Sequence, residues 1–291
     1  MNKARLEIAK SDIELYFKNN PTKILKRKQI GRILAQNRDF WRLAQSTTLN
    51  EFIGFLVGNT MLRRINFDFP SRREIRYSWG ESSEYELALS IKPDSYLTHF
   101  TAMFLNGITD QIPKTIYVNY EQPKKKNRDK ELKQSNIDIA FGRKARISSN
   151  IAIYEEKRIC LLNGMFTGKL GVVEIKTEPY GRIYTTNIER TLIDATVRPN
   201  YSGGIYEVLD AFINAREHVS INKLTALLRR LDYIYPYHQA IGFYLDKSGI
   251  YSANQIALLE EFPIKYDFYL THDIKERDYS KKWHLYYPSG F

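Results

Sequence analysis

The sequence predicts an α+β protein in two parts: a small, mainly helical domain over residues 1–82 and a larger α+β domain over 83–291 with a mixed sheet and a helical cluster. Three observations predict it. A length of 291 residues suits about two domains, each able to bury its own core. Apolar residues recur at helical spacing through the first sixty or so positions, switch to alternation, and then do both in turn. The charge is unevenly placed as well. Of a net +11, residues 1–80 hold 16 Lys and Arg against 7 Asp and Glu, which leaves the remainder nearly balanced.

In the first part, Leu6, Ala9, Ile13, Tyr16 and Phe17 mark one face of a helix that Asn19-Asn20-Pro21 ends. A second helix starts near Lys26, with Ile30, Ile33 and Leu34 inward and Lys28, Arg32 and Arg38 outward. Thr48 caps a third helix, because Glu51 stands three residues on to complete a capping box, and Phe52, Phe55 and Leu56 form its buried side. MLRRINF and EIRYSW, joined through Pro70-Ser71 and the basic pair Arg72-Arg73, read as a hairpin. Three helices followed by a hairpin describe a winged helix-turn-helix. In that arrangement the third helix enters the major groove and the wing lies along the backbone or minor groove. The exposed candidates on the third helix are Thr47, Thr48, Asn50 and Asn59, with Arg42 before the turn. The hairpin offers Arg63, Arg64, Arg72, Arg73 and Arg76 to phosphates. Such a field attracts polyanions, and nucleic acid suits the architecture better than an acidic protein or a membrane surface. The plain alternative is a three-helix interaction module with a solvated basic face.

Ser82-Ser83 and Glu84 mark the boundary between the parts. YELALSI begins a helix, and Tyr96 to Asn106 reads as another, ended by Gly107. TIYVNY is a strand. KKKNRDKELK, residues 124–133, reads as a polar loop ahead of the helix LKQSNIDIAF, with a nucleic-acid contact as the lesser alternative. NIAIYEEKRICLLNG alternates like a hairpin, and GVVEIKT and RIYTT add strands. IYEVLDAFINA, NKLTALLRRL behind Ser220, and HQAIGFYLDKS read as packed helices; Phe268-Tyr269-Leu270 and Trp283 to Tyr287 read as closing strands.

Thr185 to Gly204, TTNIERTLIDATVRPNYSGG, crowds acids, bases and hydroxyls together. Its spacing is that of a capped helix, with Thr186 and Glu189 as a capping box and Ile188, Leu192 and Ala195 as the apolar face. Arg190 and Asp194 pair four apart along its side, Pro199 halts it, and Gly203-Gly204 permit a turn.

Little else carries chemistry. Cys160 is the only cysteine, which excludes an internal disulfide and a cysteine-based zinc site and suggests a reducing, cytoplasmic setting. The N-terminus lacks the apolar run of a signal peptide, and no stretch is apolar for long enough to span a bilayer. His99, His218, His238, His272 and His284 show no paired metal-ligand spacing, with His238 read as a hydrogen-bonded core or interface residue. No phosphate loop or nucleophile elbow occurs, and no cofactor is expected. One constellation points to an enzyme: Asp138 upstream of Glu174-Ile175-Lys176, the acids to hold magnesium and the lysine to steady the attacking water. Alternation on a half-exposed strand produces the same triplet without any catalytic role.

Taken together, ERTLIDATVRPNYSGGIYEVLDAF, VSINKL and LDYIYPYHQAIGFYL resemble the AbiEi antitoxins of the type IV abortive-infection toxin–antitoxin systems. YLTHFTAMFLNGI, IDIAFGRKARISSNIAIYEEKRICLLNG and WHLYYPSG fit the same family, so the resemblance runs from about Tyr85 to the C-terminus. It implies a non-enzymatic protein with two functions. The winged helix-turn-helix would repress its own operon at inverted repeats in promoter DNA, and the second domain would neutralise a nucleotidyltransferase-like toxin, by direct masking or by indirect antagonism. The DNA role would fall on Lys26, Arg27, Lys28, Arg32, Arg38 and Arg42 and on the hairpin from Arg63 to Arg76. Thr186, Glu189, Arg190, Asp194, Arg198, Pro199, Gly203 and Gly204 would be the structural signature of the antitoxin domain. A winged-helix regulator with a ligand-sensing second domain is the alternative, ahead of the nuclease.

Overall fold

The computed structural model describes residues 2–124, 131–177 and 181–291. The polar run expected at 124–133 therefore lies largely outside the described residues. The chain is a mixed α+β protein that divides into two compact units. The first comprises Met1–Pro93 together with Ala152–Glu156 and Lys176–Arg182; the second takes the rest. Residue 82, where the sequence suggested a boundary, stands just before a helix of the first unit capped by Ser83, whose hydroxyl accepts from the Glu86 N–H at 3.2 Å.

The first unit opens with α1 (Asn2–Asn19), β1 (Ile24–Leu25), α2 (Arg27–Asn37) and α3 (Leu49–Asn59). A hairpin of two eight-residue strands follows, β2 (Leu62–Phe69) against β3 (Arg72–Trp79), and then α4 (Glu84–Ser90). The apolar stripes read from the sequence are the core: Leu6, Ala9, Ile13 and Phe17 of α1 meet Ile30, Ile33 and Leu34 of α2 and Phe52, Phe55 and Leu56 of α3. Phe17 stacks on Trp79 of the hairpin at 5.0 Å between centroids, and Trp41 on Phe52 at 5.7 Å. The capping box on α3 forms, with the Thr48 N–H donating to Glu51 at 2.7 Å and the Glu51 N–H to the Thr48 hydroxyl at 3.2 Å. Such caps contribute about 1 kcal/mol. Strand order in this unit is β1-β3-β2-β6, where β6 (Ile151–Tyr154) pairs Ile153 with Asp68.

The second unit holds β4 (Tyr96–Leu97), α5 (His99–Leu105), β5 (Thr115–Glu121), α6 (Gln134–Phe141), β7 (Lys157–Gly164), β8 (Val172–Thr177) and β9 (Gly181–Thr186). The sequence of helices is then α7 (Ile188–Val197), α8 (Ile205–Asn214), α9 (Ile221–Leu231), α10 (Tyr237–Ser248) and α11 (Ala253–Glu260). The chain closes with β10 (Phe268–Tyr269), β11 (Arg277–Ser280) and β12 (Leu285–Pro288). Strand order is β7-β5-β4-β9-β8, a mixed sheet: β5 runs parallel to β7 and β4 parallel to β9, while β4 and β5 are antiparallel. The three closing strands form a second mixed sheet in the order β10-β12-β11.

The helices pack as a cluster around α7 and α10, and Leu192, Ile193, Phe212, Leu224, Ile241 and Tyr244 are fully or almost fully buried. Tyr96-Leu97, expected to start a helix, is instead a strand. Its backbone joins the sheet between β5 and β9, and both side chains are buried. No helix among the described residues is long and apolar enough to cross a membrane.

Candidate functional sites

In the first unit the cations expected to meet DNA separate into three groups. Lys26, Arg27, Lys28 and Arg32, on the first turns of α2, are exposed, as are Arg42 ahead of α3 and Arg64 on β2. None of these six has an ion-pair partner among the described residues. Arg63, Arg72 and Arg73 are exposed but matched, Arg63 with Glu81, Arg73 with Asp68, and Arg72 with Glu74 at 3.2 Å and over the Phe69 ring at 4.0 Å. Exposed pairs of this kind are worth at most about 1 kcal/mol, so a phosphate can compete for the arginine.

The third group holds structure together. Arg76, expected on the surface, is 4% exposed. Its guanidinium donates to the carbonyls of Ser90 at 3.0 Å and Ile91 at 2.9 Å and to Glu74 at 2.9 Å, so it fastens the hairpin to the end of α4. Burial works to raise the Glu74 pKa, but the hydrogen bonds from Arg76 and Arg72 outweigh it and hold the carboxyl below its usual range. Arg38 is half-buried and donates to the carbonyls of Ala44 at 2.5 Å and Thr47 at 3.1 Å, which shapes the link between α2 and α3. Thr47 is buried, not exposed, and its hydroxyl has no partner among the described residues.

On α3 itself Asn50, Gly54, Val57 and Gly58 are exposed, and Asn59 folds its amide back onto the Phe55 carbonyl at 2.8 Å. A Cβ added at Gly54 or Gly58 would meet nothing within 4 Å. The exposed positions of the helix thus carry no Lys or Arg.

In the second unit the crowded segment resolves differently from the expected capping box. Asn187 is the cap of α7, its side chain accepting from the Arg190 N–H at 2.9 Å. Thr186 belongs to β9, and its hydroxyl meets that of Thr191 at 2.8 Å inside the core. Glu189 does not reach back along its own helix. It accepts from the backbone N–H of Ser220 at 3.2 Å, at the start of α9. The helix has no single apolar face, since residues 189 to 196 are all buried.

Arg190 and Asp194 do pair, at 2.7 Å, with 5% and 7% of their side chains exposed. Arg190 also donates to the Leu170 carbonyl at 2.6 Å, and Asp194 accepts from the Thr98 hydroxyl at 3.0 Å. Gly171 sits against this arginine with φ +77°, where a Cβ would fall 2.7 Å from the Arg190 Cβ. After Arg198 and a short 3-10 turn at Pro199–Tyr201, the Gly203-Gly204 pair turns the chain into α8 with φ of +82° and +99°.

Asp194 and Arg198 also line a cleft of about 560 Å³ that runs across this unit. His99, Asn119, Arg146, Asn163, Tyr201 and the tyrosines 233, 235 and 237 complete much of its wall. A second cavity of about 520 Å³ shares Arg146, Arg198, Tyr235 and Tyr237 and adds Arg143, Lys144 and His272. Asp194, already engaged on both oxygens, is the only carboxylate lining either cavity among the described residues. Arg146 and Arg198 are exposed and have no ion-pair partner among those residues.

His99 holds the left-handed conformation, φ +52°, at the start of α5, and is 8% exposed with no hydrogen-bond partner on Nδ1. Burial pushes its pKa down to about 4, so the ring is neutral. The tyrosine string YIYPYH and the basic run RKAR stand apart in the sequence, and only the fold brings them together. His99 gave no signal in the sequence.

The nuclease constellation finds little support in its parts. Asp138 lies within α6, hydrogen-bonded to Gln134 at 2.8 Å and to the Tyr269 hydroxyl at 3.1 Å, while Glu174 and Lys176 stand on β8. Among the described residues no three His, Cys, Asp or Glu side chains group to hold a metal ion. His238 stacks on Phe262 at 5.1 Å with Nε2 unpartnered among the described residues, a ring contact in place of the expected hydrogen bond.

These units make up a mixed α+β protein with a basic, mainly helical unit and a cleft-bearing α+β unit. No protein-family model matches the chain, and no curated protein does. In fold it is similar to the RV2827C protein from Mycobacterium tuberculosis, whose crystal structure it matches with a TM-score of 0.60 at 14% identity, over 96% of this chain and 91% of that one.

Proposed function

We propose that the chain is an antitoxin and autorepressor of the AbiEi kind. The first unit acts as a winged helix-turn-helix on promoter DNA, and the second neutralises a nucleotidyltransferase-like toxin; the protein works by binding and not by turnover. The observation that carries the DNA half is the set of exposed cations at the start of α2 and at Arg42 and Arg64 that have no ion-pair partner among the described residues, together with an α3 that exposes Asn50 and two glycines. Cations of this kind anchor a helix-turn-helix to phosphates, and α3, whose one charge is the capping carboxylate of Glu51, offers Asn50 to base edges. The toxin half is supported by the sequence strings that resemble the family from about Tyr85 onward.

The test uses the full chain, because a cut at residue 82 would remove the 152–156 and 176–182 segments from the first unit. Co-expression with a nucleotidyltransferase-like toxin encoded beside this chain should relieve the growth arrest that the toxin causes. A Lys28→Ala/Arg32→Ala/Arg64→Ala variant should still relieve it while losing binding to its own promoter. Arrest unrelieved by the folded wild-type chain would remove the antitoxin reading. Promoter binding unaffected by the triple substitution would remove the DNA interface.

A further inference from the structure

We propose that the cleft of the second unit binds a nucleoside phosphate, either free or as the terminal nucleotide of an RNA strand. Three features of the cleft converge on that chemistry. Among the described residues Arg146 and Arg198 have no carboxylate partner, and the one acid lining the cleft, Asp194, is already engaged by Arg190 and Thr98. Planar guanidinium forks match the paired oxygens of a phosphate. Tyr235 and Tyr237 line both cavities together with Arg146 and Arg198, the combination of rings and cations found in grooves that stack bases and hold phosphates.

The third feature is His99. Its Nδ1 is buried in the wall without a partner, in a backbone conformation that costs a non-glycine residue energy. A neutral imidazole nitrogen can accept from a ribose hydroxyl or a base amino group, or donate to a carbonyl, according to its tautomer. The size agrees. Volumes of about 560 and 520 Å³ fall within the roughly 300–1,000 Å³ of small-ligand sites and hold a nucleotide or a strand end.

The experiment is calorimetric titration of the full chain with four probes: ATP, CTP, sodium pyrophosphate, and a single-stranded RNA dodecamer. At least one nucleotide or the RNA should bind. Arg146→Gln and Arg198→Gln should each weaken that binding tenfold or more, with the melting temperature unchanged because both side chains lie on the surface. The Lys28→Ala/Arg32→Ala/Arg64→Ala variant should bind as the wild type does, and the imidazole nitrogen resonances of His99 should shift on saturation.

Tighter binding of RNA than of either nucleotide identifies a strand end as the ligand, and the reverse order identifies a free nucleotide. Pyrophosphate binding as tightly as the nucleotides would overturn the proposal, since the rings would then contribute nothing. So would silence from all four probes, or affinity that the triple variant abolishes and the cleft variants leave intact.

Discussion

Arg190 and Asp194 form a closed pair within one turn of α7, Nε to Oδ1 at 2.7 Å, in a setting where both side chains are more than nine-tenths buried. Their remaining polar atoms reach the Leu170 carbonyl and the Thr98 hydroxyl, so the pair ties the helix to the loop before β8 and to the link between β4 and α5. Removing one partner leaves a buried charge without compensation. Asp194→Ala should therefore destabilise the chain by about 3–5 kcal/mol, measured as a fall in the urea midpoint. Arg190→Met/Asp194→Leu should cost less than the sum of the two single changes. An additive double variant would show that the pair contributes no coupling.

Glu189 separates a cap from a catalyst by a conservative change. Its Oε1 serves the Ser220 N–H at the start of α9, a task a glutamine amide oxygen also performs. Glu189→Gln should lose only the charge at the helix N-terminus, about 0.3–1 kcal/mol, while Glu189→Ala should lose roughly 1–2 kcal/mol. Thermal denaturation of both proteins reads the difference. If Gln proves as damaging as Ala, the hydrogen-bond role is wrong.

What could be read from the sequence was what local period and cap chemistry determine. The stripes Leu6–Phe17, Ile30–Leu34 and Phe52–Leu56 became the core of the first unit, and the Thr48–Glu51 box formed. Failures came where a distant partner decides. Tyr96-Leu97 looks helical in isolation and is a strand because β5 and β9 flank it. Arg76 looks like a surface cation and is buried because α4 ends in two carbonyls that need donors. Glu189 fits a capping box with Thr186, yet its carboxylate meets the start of a helix 31 residues away. The cleft was illegible for the same reason, since His99, Arg146, Arg198 and Tyr235 are separate in sequence and converge only when folded. The helix α11 went unread, although Ser252 and Gln255 form a capping box ahead of its apolar run.

Acidification should weaken the fold between pH 6.5 and 4. His99 and His238 are both held neutral by burial, with pKa values pushed down to about 4 from the usual 6.5. Across that window the unfolded chain binds protons that the folded chain refuses, so stability rises with pH and is lost as pH falls toward 4. For His99 the full window corresponds to roughly 3 kcal/mol. His99→Asn, which keeps a residue tolerant of positive φ, should flatten the difference in urea midpoint between pH 5 and pH 7.5. An unchanged pH dependence would place the acid sensitivity elsewhere.

Gly54 sits in the interior of α3 with open space where a Cβ would be, a placement that costs the helix stability without any packing reason. Gly54→Ala should therefore stabilise the protein by about 0.5–1 kcal/mol. If α3 enters a groove of DNA, the same methyl should weaken promoter binding, so that stability and affinity move in opposite directions. A variant that gains stability and binds as before would show that this face of α3 does not approach the duplex.

Salt dependence gives the most direct reading of the first unit. Each phosphate neutralised on duplex DNA contributes about −0.9 to the slope of log affinity against log salt, so contacts from about five cations imply a slope near −4.5. Lys28, Arg32 and Arg64 are exposed without ion-pair partners among the described residues, so changing each to Ala should make the slope shallower by about 0.9. Arg73 is already matched with Asp68 and should change it less. Arg76→Ala belongs to another class: it should lower the stability of the first unit, because two carbonyls at the end of α4 lose their donor. Fluorescence anisotropy with a promoter duplex from 50 to 300 mM salt measures all of these slopes. A slope near zero for the wild type would exclude phosphate contacts altogether, and equal shifts for Arg64→Ala and Arg73→Ala would show that the exposed pair with Asp68 does not restrain its arginine.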